Sequence, residues 1–154
     1  RAMIHDVRRD LGVPDLPVVI AELGVNGAAE GTRPSYVALH AFRQAQRAVV
    51  EHPSLKNVRF VETAIHWDDE LHALSSQIDR YEAERRERQA QRGSGSGSDL
   101  EADSAAEAER AALEARYRTM GGHWECHYHG SASTYALMGA ALAEAMLELE
   151  REPD

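Results

Sequence analysis

Pro17-Val18-Val19-Ile20-Ala21-Glu22-Leu23-Gly24-Val25-Asn26-Gly27 is the stretch on which the fold turns. After the proline, its apolar and partly β-branched run has the form of a strand buried on both faces of a parallel sheet. The glycines and the asparagine that follow suit a loop at a strand's carboxyl end, where open α/β sheets keep their binding sites. Glu22 and Asn26 are therefore candidate substrate-lining residues, although a loop that turns on Gly24 and Gly27 needs no ligand to account for it.

On the amino-terminal side of this strand, Ile4, Val7 and Leu11 recur at helical spacing and stop at Gly12, a residue suited to the position after a helix end. On the other side, Val37, Phe42, Ala45, Val49 and Val50 outline a helix over residues 35–51, with Ser35 as its N-cap and Pro53 closing it. Arg43 and Gln46, one turn apart on this helix, read as structural or solvated rather than catalytic. Residues 58–64 form a second strand that leads to His66, Trp67, Asp68 and Asp69, where the aspartates can cap a following helix. Helix, strand, helix, strand, with connections long enough for a crossover, predicts parallel strands in an α/β layer.

The 154 residues carry a formal net charge of -9, which argues against a nucleic acid or an anionic membrane as partner, since both ask for a basic footprint. No apolar run reaches the roughly 18 residues of a membrane span. A lone cysteine, Cys126, excludes an internal disulfide framework. The chain opens on Arg1 with a helical pattern already under way, so it reads as starting inside a larger protein.

Residues 79–120 change character to Arg, Glu, Gln and Ala. Their centre, Gly93-Ser94-Gly95-Ser96-Gly97-Ser98, is a flexible linker by composition, and its flanks read as two solvated helices without an apolar stripe. Order is expected to return after Gly122 in a polar and aromatic loop, His123-Trp124-Glu125-Cys126-His127-Tyr128-His129-Gly130, before a last helix whose buried candidates are Met138, Leu142, Met146 and Leu149. The organisation is thus an α/β part over residues 1–78, a charged helical insertion over 79–120, and a histidine loop with a carboxyl-terminal helix over 121–152. His123, Cys126, His127 and His129 are ligand types for zinc, but their spacing matches no compact zinc motif, so neither a metal nor another cofactor is expected. The other sharp reading of the loop is an acid–base histidine.

Asp6-Val7-Arg8-Arg9-Asp10-Leu11-Gly12 running into Pro14-Asp15-Leu16-Pro17-Val18-Val19-Ile20, then Phe42-Arg43-Gln44-Ala45-Gln46, then His127-Tyr128-His129-Gly130-Ser131-Ala132 ahead of Met138-Gly139 and Ala143-Glu144-Ala145-Met146, taken together, resemble the sialate O-acetylesterase domain of the SGNH-hydrolase superfamily. Val61-Glu62-Thr63-Ala64 with Trp67-Asp68 is similar to the family's second-strand region. The likeness covers residues 3–72 and 123–150, in order. It implies the carboxyl-terminal half of a three-layer α/β/α hydrolase that removes acetyl groups from carbohydrate, parallel strands included. The family's serine nucleophile, in a Gly-Gln-Ser-Asn-type segment, and its oxyanion-hole glycine and asparagine have no counterpart in these residues.

The resemblance carries the catalytic histidine onto His127, with His129 as its rival. A serine hydroxyl is too weakly acidic to attack an ester unless an imidazole takes its proton. The aspartate that such enzymes hold three residues before the histidine is Trp124 here, and Glu125 is the replacement orienter. The implied partner is an acetylated carbohydrate, and the implied setting of the parent is secreted or periplasmic. The competing reading is a non-catalytic carbohydrate-binding or scaffold module whose histidine loop only shapes a surface.

Overall fold

The computed structural model describes residues 1–28, 32–91 and 100–151, and shows a mixed, mostly helical chain with two parallel strands. The Gly/Ser stretch at 93–98 lies outside the described residues. Two compact units make up the chain, Arg1–Trp67 with Ser133–Asp154 and Asp68–Ala132, and each is described by itself. Among the described residues no helix is long and apolar enough to cross a membrane.

In the first unit, α1 (Ala2–Leu11) ends where Gly12 adopts φ 67°. Gly12 N–H then reaches Arg9 O and Val13 N–H reaches Arg8 O, closing the helix's last carbonyls as the sequence predicts. β1 (Val18–Ala21) and β2 (Val58–Val61) pair in parallel, Val18 opposite Val58 and Ala21 opposite Val61. Ile4, Leu55 and Val58 form the core, with Val18, Ile20, Val49 and Val50 packed around them. The residues of β1 are half-buried rather than buried on both faces, because β2 is the strand's one partner among the described residues. β2 is shorter than expected, since the chain leaves the ladder at Glu62 and enters a short 3-10 turn at Ala64–His66.

Between the strands, α2 (Pro34–Arg47) starts one residue earlier than the sequence suggests and ends four earlier. Pro34 explains the start: its ring presets a helical φ and it gives up an N–H that the first turn leaves unused. Arg33 therefore holds the cap position, with no side-chain cap bond, and Ser35 sits inside the first turn. The pattern drawn through Val37 and Phe42 also picks the wrong face. Both are exposed, whereas Tyr36, Leu39, Arg43 and Gln46 turn inward at spacings of three and four. In α1 likewise, Arg8 is buried and Val7 and Leu11 are exposed.

Two guanidinium groups account for these faces. At the amino-terminal ends of the strands, Arg8 donates to Leu16 O from Nε and Nη2 (3.1 and 2.7 Å) and to Lys56 O (2.8 Å). At the carboxyl ends, Arg43 donates to Leu23 O, Gly27 O and Val25 O at 2.7–2.8 Å. A short two-stranded sheet leaves loop carbonyls unpaired at both ends, and a buried carbonyl without a donor is costly. The planar fork of arginine satisfies several at once. From α5 (Ala132–Arg151), Thr134, Ala145 and Leu149 are buried, Met138, Leu142 and Met146 half-buried.

In the second unit, α3 (Asp69–Gln91) and α4 (Leu100–Thr119) run antiparallel, as their cross-helix pairs Glu70–Arg116, Glu82–Arg110 and Glu107–Arg85 require. Their contact is not merely solvated. Leu71, Leu74, Ile78 and Tyr117 are buried together, and Leu113 and Met120 pack against them. Division of the chain at residue 79 separates Leu71, Leu74 and Ile78 from the charged segment and hides this seam. It also overlooks Leu113, Tyr117 and Met120, which recur at four and three residues, one face of a helix. Asp68 caps α3, its Oδ1 accepting from Leu71 N–H at 3.0 Å, while Asp69 and Glu70 place negative charge in the first turn.

Candidate active site

The two loops singled out by the sequence belong to different units. In the loop after β1, Asn26 and Gly27 have φ of 65° and 54°, and Gly27 N–H closes a turn onto Gly24 O at 3.2 Å. Both glycines are required by close approach. A Cβ on Gly24 would lie 2.5 Å from Thr63 Oγ1 and 2.7 Å from the Thr63 carbonyl carbon, and one on Gly27 would lie 2.9 Å from the Trp67 ring.

Glu22 is drawn into this scaffold. One carboxylate oxygen accepts from Ala64 N–H at 3.0 Å, the other is 3.9 Å from Arg43 Nε, and the Glu22 carbonyl accepts from the Thr63 hydroxyl at 2.7 Å. Gln46 ties the same loop, accepting from Leu23 N–H and donating to Ala21 O. Arg43 and Gln46 thus have the structural role the sequence suggests. Of the two candidate lining residues, Asn26 keeps an exposed side chain, and the Glu22 carboxylate is occupied by bonds that hold the loop.

The histidine loop of the second unit is built differently. Gly122 N–H reaches back to Tyr117 O at 2.8 Å, turning the chain out of α4. His123 N–H donates to His129 O at 2.7 Å, so residues 123–129 close on themselves. Tyr128, His129 and Gly130 are consecutive left-handed residues with φ of 56°, 54° and 69°. For a bulky residue such as tyrosine this conformation is an outlier, and strain of this kind costs about 1–3 kcal/mol per residue and clusters at functional sites.

This backbone exposes His127 and turns His129 inward, half-buried. His129 Nδ1 lies 3.1 Å from the hydroxyl of Tyr117, a fully buried side chain, and its ring is 5.6 Å from that of His72 on α3. Burial pushes the His129 imidazole below its ordinary value, and His72 adds to this; the charges of Asp68 and Asp79 pull the other way. The net lowering keeps the ring neutral at neutral pH, and its Nε2 is buried. Glu125 and Trp124 are exposed, and Trp124 stacks on Tyr117 with ring centroids 4.0 Å apart. Cys126 Sγ is 3.6 Å from His123 Nδ1, and no group of three or more metal-ligating side chains gathers among the described residues.

Of the residues around His129, Tyr117 and His72 escape the sequence reading. Tyr117 stands in a charged stretch, and its visible signals are the four-residue step from Leu113 and the three-residue step to Met120. His72 follows an apolar residue in an ordinary helix start. Ser131, adjoining the loop, bonds Asp68 Oδ2 at 2.9 Å through its hydroxyl, so one carboxylate both caps α3 and holds the end of the loop. Comparison of the chain with family models, with curated proteins and with solved structures finds no match.

Proposed function

We propose that these residues belong to a serine-dependent carbohydrate O-acetylesterase of the SGNH type, in which His127 is the general base. The observation that supports this reading is the left-handed loop itself, which leaves His127 exposed while His129 is turned inward with Nδ1 against the Tyr117 hydroxyl and Nε2 buried. The ordered resemblance over residues 3–72 and 123–150 supplies the reaction class and the sugar substrate.

In this mechanism the exposed imidazole of His127 takes the proton of a serine supplied by protein outside these residues. The serine oxygen attacks the acetyl carbonyl, and the imidazolium returns the proton to the departing sugar oxygen. Water then attacks the acetyl-serine with the same histidine as base, releasing acetate.

The test is acetate release from an O-acetylated sialic acid by the full protein carrying these residues. His127→Ala is expected to lower kcat/KM by about 100-fold or more. The 154-residue chain alone is expected to show no hydrolysis above background. Absence of acetate release by the full protein overturns the esterase reading and favours a non-catalytic carbohydrate module. Full activity in a His127→Ala protein overturns the choice of base.

A further inference from the structure

The loop that carries His127 is tied down at His129 by two contacts. The His129 carbonyl accepts from His123 N–H at 2.7 Å, and its Nδ1 lies 3.1 Å from the Tyr117 hydroxyl. The tyrosine is a fixed anchor, fully buried in the seam with Leu71, Leu74 and Ile78, with Trp124 stacked on it at 15° between the planes. A Cβ on Gly122 would come within 2.5 Å of the same ring. Against this anchor stand Tyr128, His129 and Gly130, all at positive φ, a path that persists only where surrounding contacts impose it.

A phenol keeps its hydrogen at neutral pH, and among the described residues the partner of the Tyr117 hydroxyl is His129 Nδ1. The hydroxyl therefore donates, the neutral imidazole accepts at Nδ1, and the ring hydrogen sits on the buried Nε2. An imidazolium carries hydrogens on both nitrogens and has no lone pair to offer. A proton on Nδ1 would set two donors against each other, beside a His72 ring 5.6 Å away whose own charge would add repulsion. The groups that face or act on this pair are Asp68, His72 and Asp79 from α3 or its cap, Tyr117 from α4, and His123 and Cys126 from the loop. The two aspartates favour the proton, but burial and His72 outweigh them.

We propose that His129 is an acid-released latch on the histidine loop: neutral, it accepts from Tyr117 and holds the loop closed, and protonated at Nδ1 it can no longer accept, so the loop opens. Once the bond is gone, the left-handed path has lost a contact that imposed it, and its strain favours release. Opening also frees Nε2 from burial and moves the imidazolium away from His72. His127 lies two residues before the latch, so His129 and Tyr117 are positioning residues for it. That consequence rests on the reading of His127 as base, whereas the latch itself does not.

The experiment is a pH titration of the 154-residue chain by NMR, following the His129 ring nitrogens and the exchange protection of His123 N–H. Above the ordinary imidazole value of about 6.5 the Nε2–H tautomer is expected to dominate. As His129 takes up its proton below that value, protection of His123 N–H, corrected for the intrinsic exchange rate, is expected to fall by about two- to tenfold, the range set by the net strength of one hydrogen bond. Tyr117→Phe keeps the ring in the seam and removes the donor. In it, protection is expected to be low throughout and His129 to titrate at higher pH than in the wild type. Protonation of His129 with His123 protection unchanged overturns the proposal, as does a dominant Nδ1–H tautomer, and neither measurement needs a variant to fold. A fall of undiminished size in a folded Tyr117→Phe chain overturns it as well. In the full protein the same variant is expected to lower kcat for acetate release by about two- to tenfold, by the same hydrogen-bond range. If the titration stands and the full protein releases no acetate, the esterase reading fails while the latch survives.

Discussion

The loop after β1 and the loop after α4 look alike as sequence: each is short, glycine-bearing, and set with side chains able to do chemistry. They end in opposite conditions. After β1, the fold consumes its polar groups, with Arg43 on three carbonyls, Gln46 on two backbone groups, and the Glu22 carboxylate on Ala64 N–H. After α4, the backbone takes a strained path, three left-handed residues in a row, that turns one imidazole onto a buried phenol. Where polar side chains satisfy backbone, a loop is scaffold; where backbone is strained to aim a side chain, a loop is a candidate site.

The largest effect expected from breaking this contrast is at Arg43. Arg43→Met removes the donors of three carbonyls and strands the Glu22 carboxylate in a position where its side chain is 10% exposed. Removing one partner of a buried pair costs about 3–5 kcal/mol. Hydrogen exchange should therefore accelerate in β1 and β2, with the α3–α4 seam as the internal reference. Equal loss of protection in both units would show that the two fold as one and would break the contrast.

A smaller effect is expected at Asp68. Asp68→Ala removes the cap of α3 and the acceptor of the Ser131 hydroxyl, and loss of an N-cap typically costs about 1 kcal/mol. It also takes away a charge that holds the His129 imidazole up, so its titration should move further down, which NMR can follow. A cap loss with no change in that titration would separate the helix end from the imidazole.

The smallest effect is a pH dependence confined to the second unit. His129 binds its proton less readily folded than unfolded, so between its folded value and the ordinary imidazole value of about 6.5 the unfolded chain holds more protons. Stability from this group is therefore complete above that range and falls as the pH drops through it. Exchange in α3 and α4 compared above the ordinary imidazole value and well below it should show the loss, and His129→Gln should abolish it.

Much of the fold was legible in the residues. The Schellman end at Gly12, the parallel pair of β-branched strands, the Asp68 cap and the carboxyl-terminal helix all follow from local rules that act within a few residues of themselves. The faces of α1 and α2 were not legible. A hydrophobic pattern places Val7 and Phe42 inward, yet the two strands leave carbonyls at their ends that only a long forked donor can reach, so Arg8 and Arg43 are buried instead. The seam of α3 and α4 was half legible, its six-residue apolar set being sparse and divided between distant segments.

For the site, the sequence by itself determined that a histidine belongs in the loop before the last helix, because residue types and order are written along the chain. The resemblance put it at His127 with His129 as rival, and two positions one residue apart differ only in where the backbone sends them. Tertiary structure decided that the inward ring is His129 and that its neighbour is Tyr117, twelve residues earlier on another element. The physical reason is that burial, backbone handedness and the meeting of one phenol with one imidazole arise when distant segments pack, and no local preference records them.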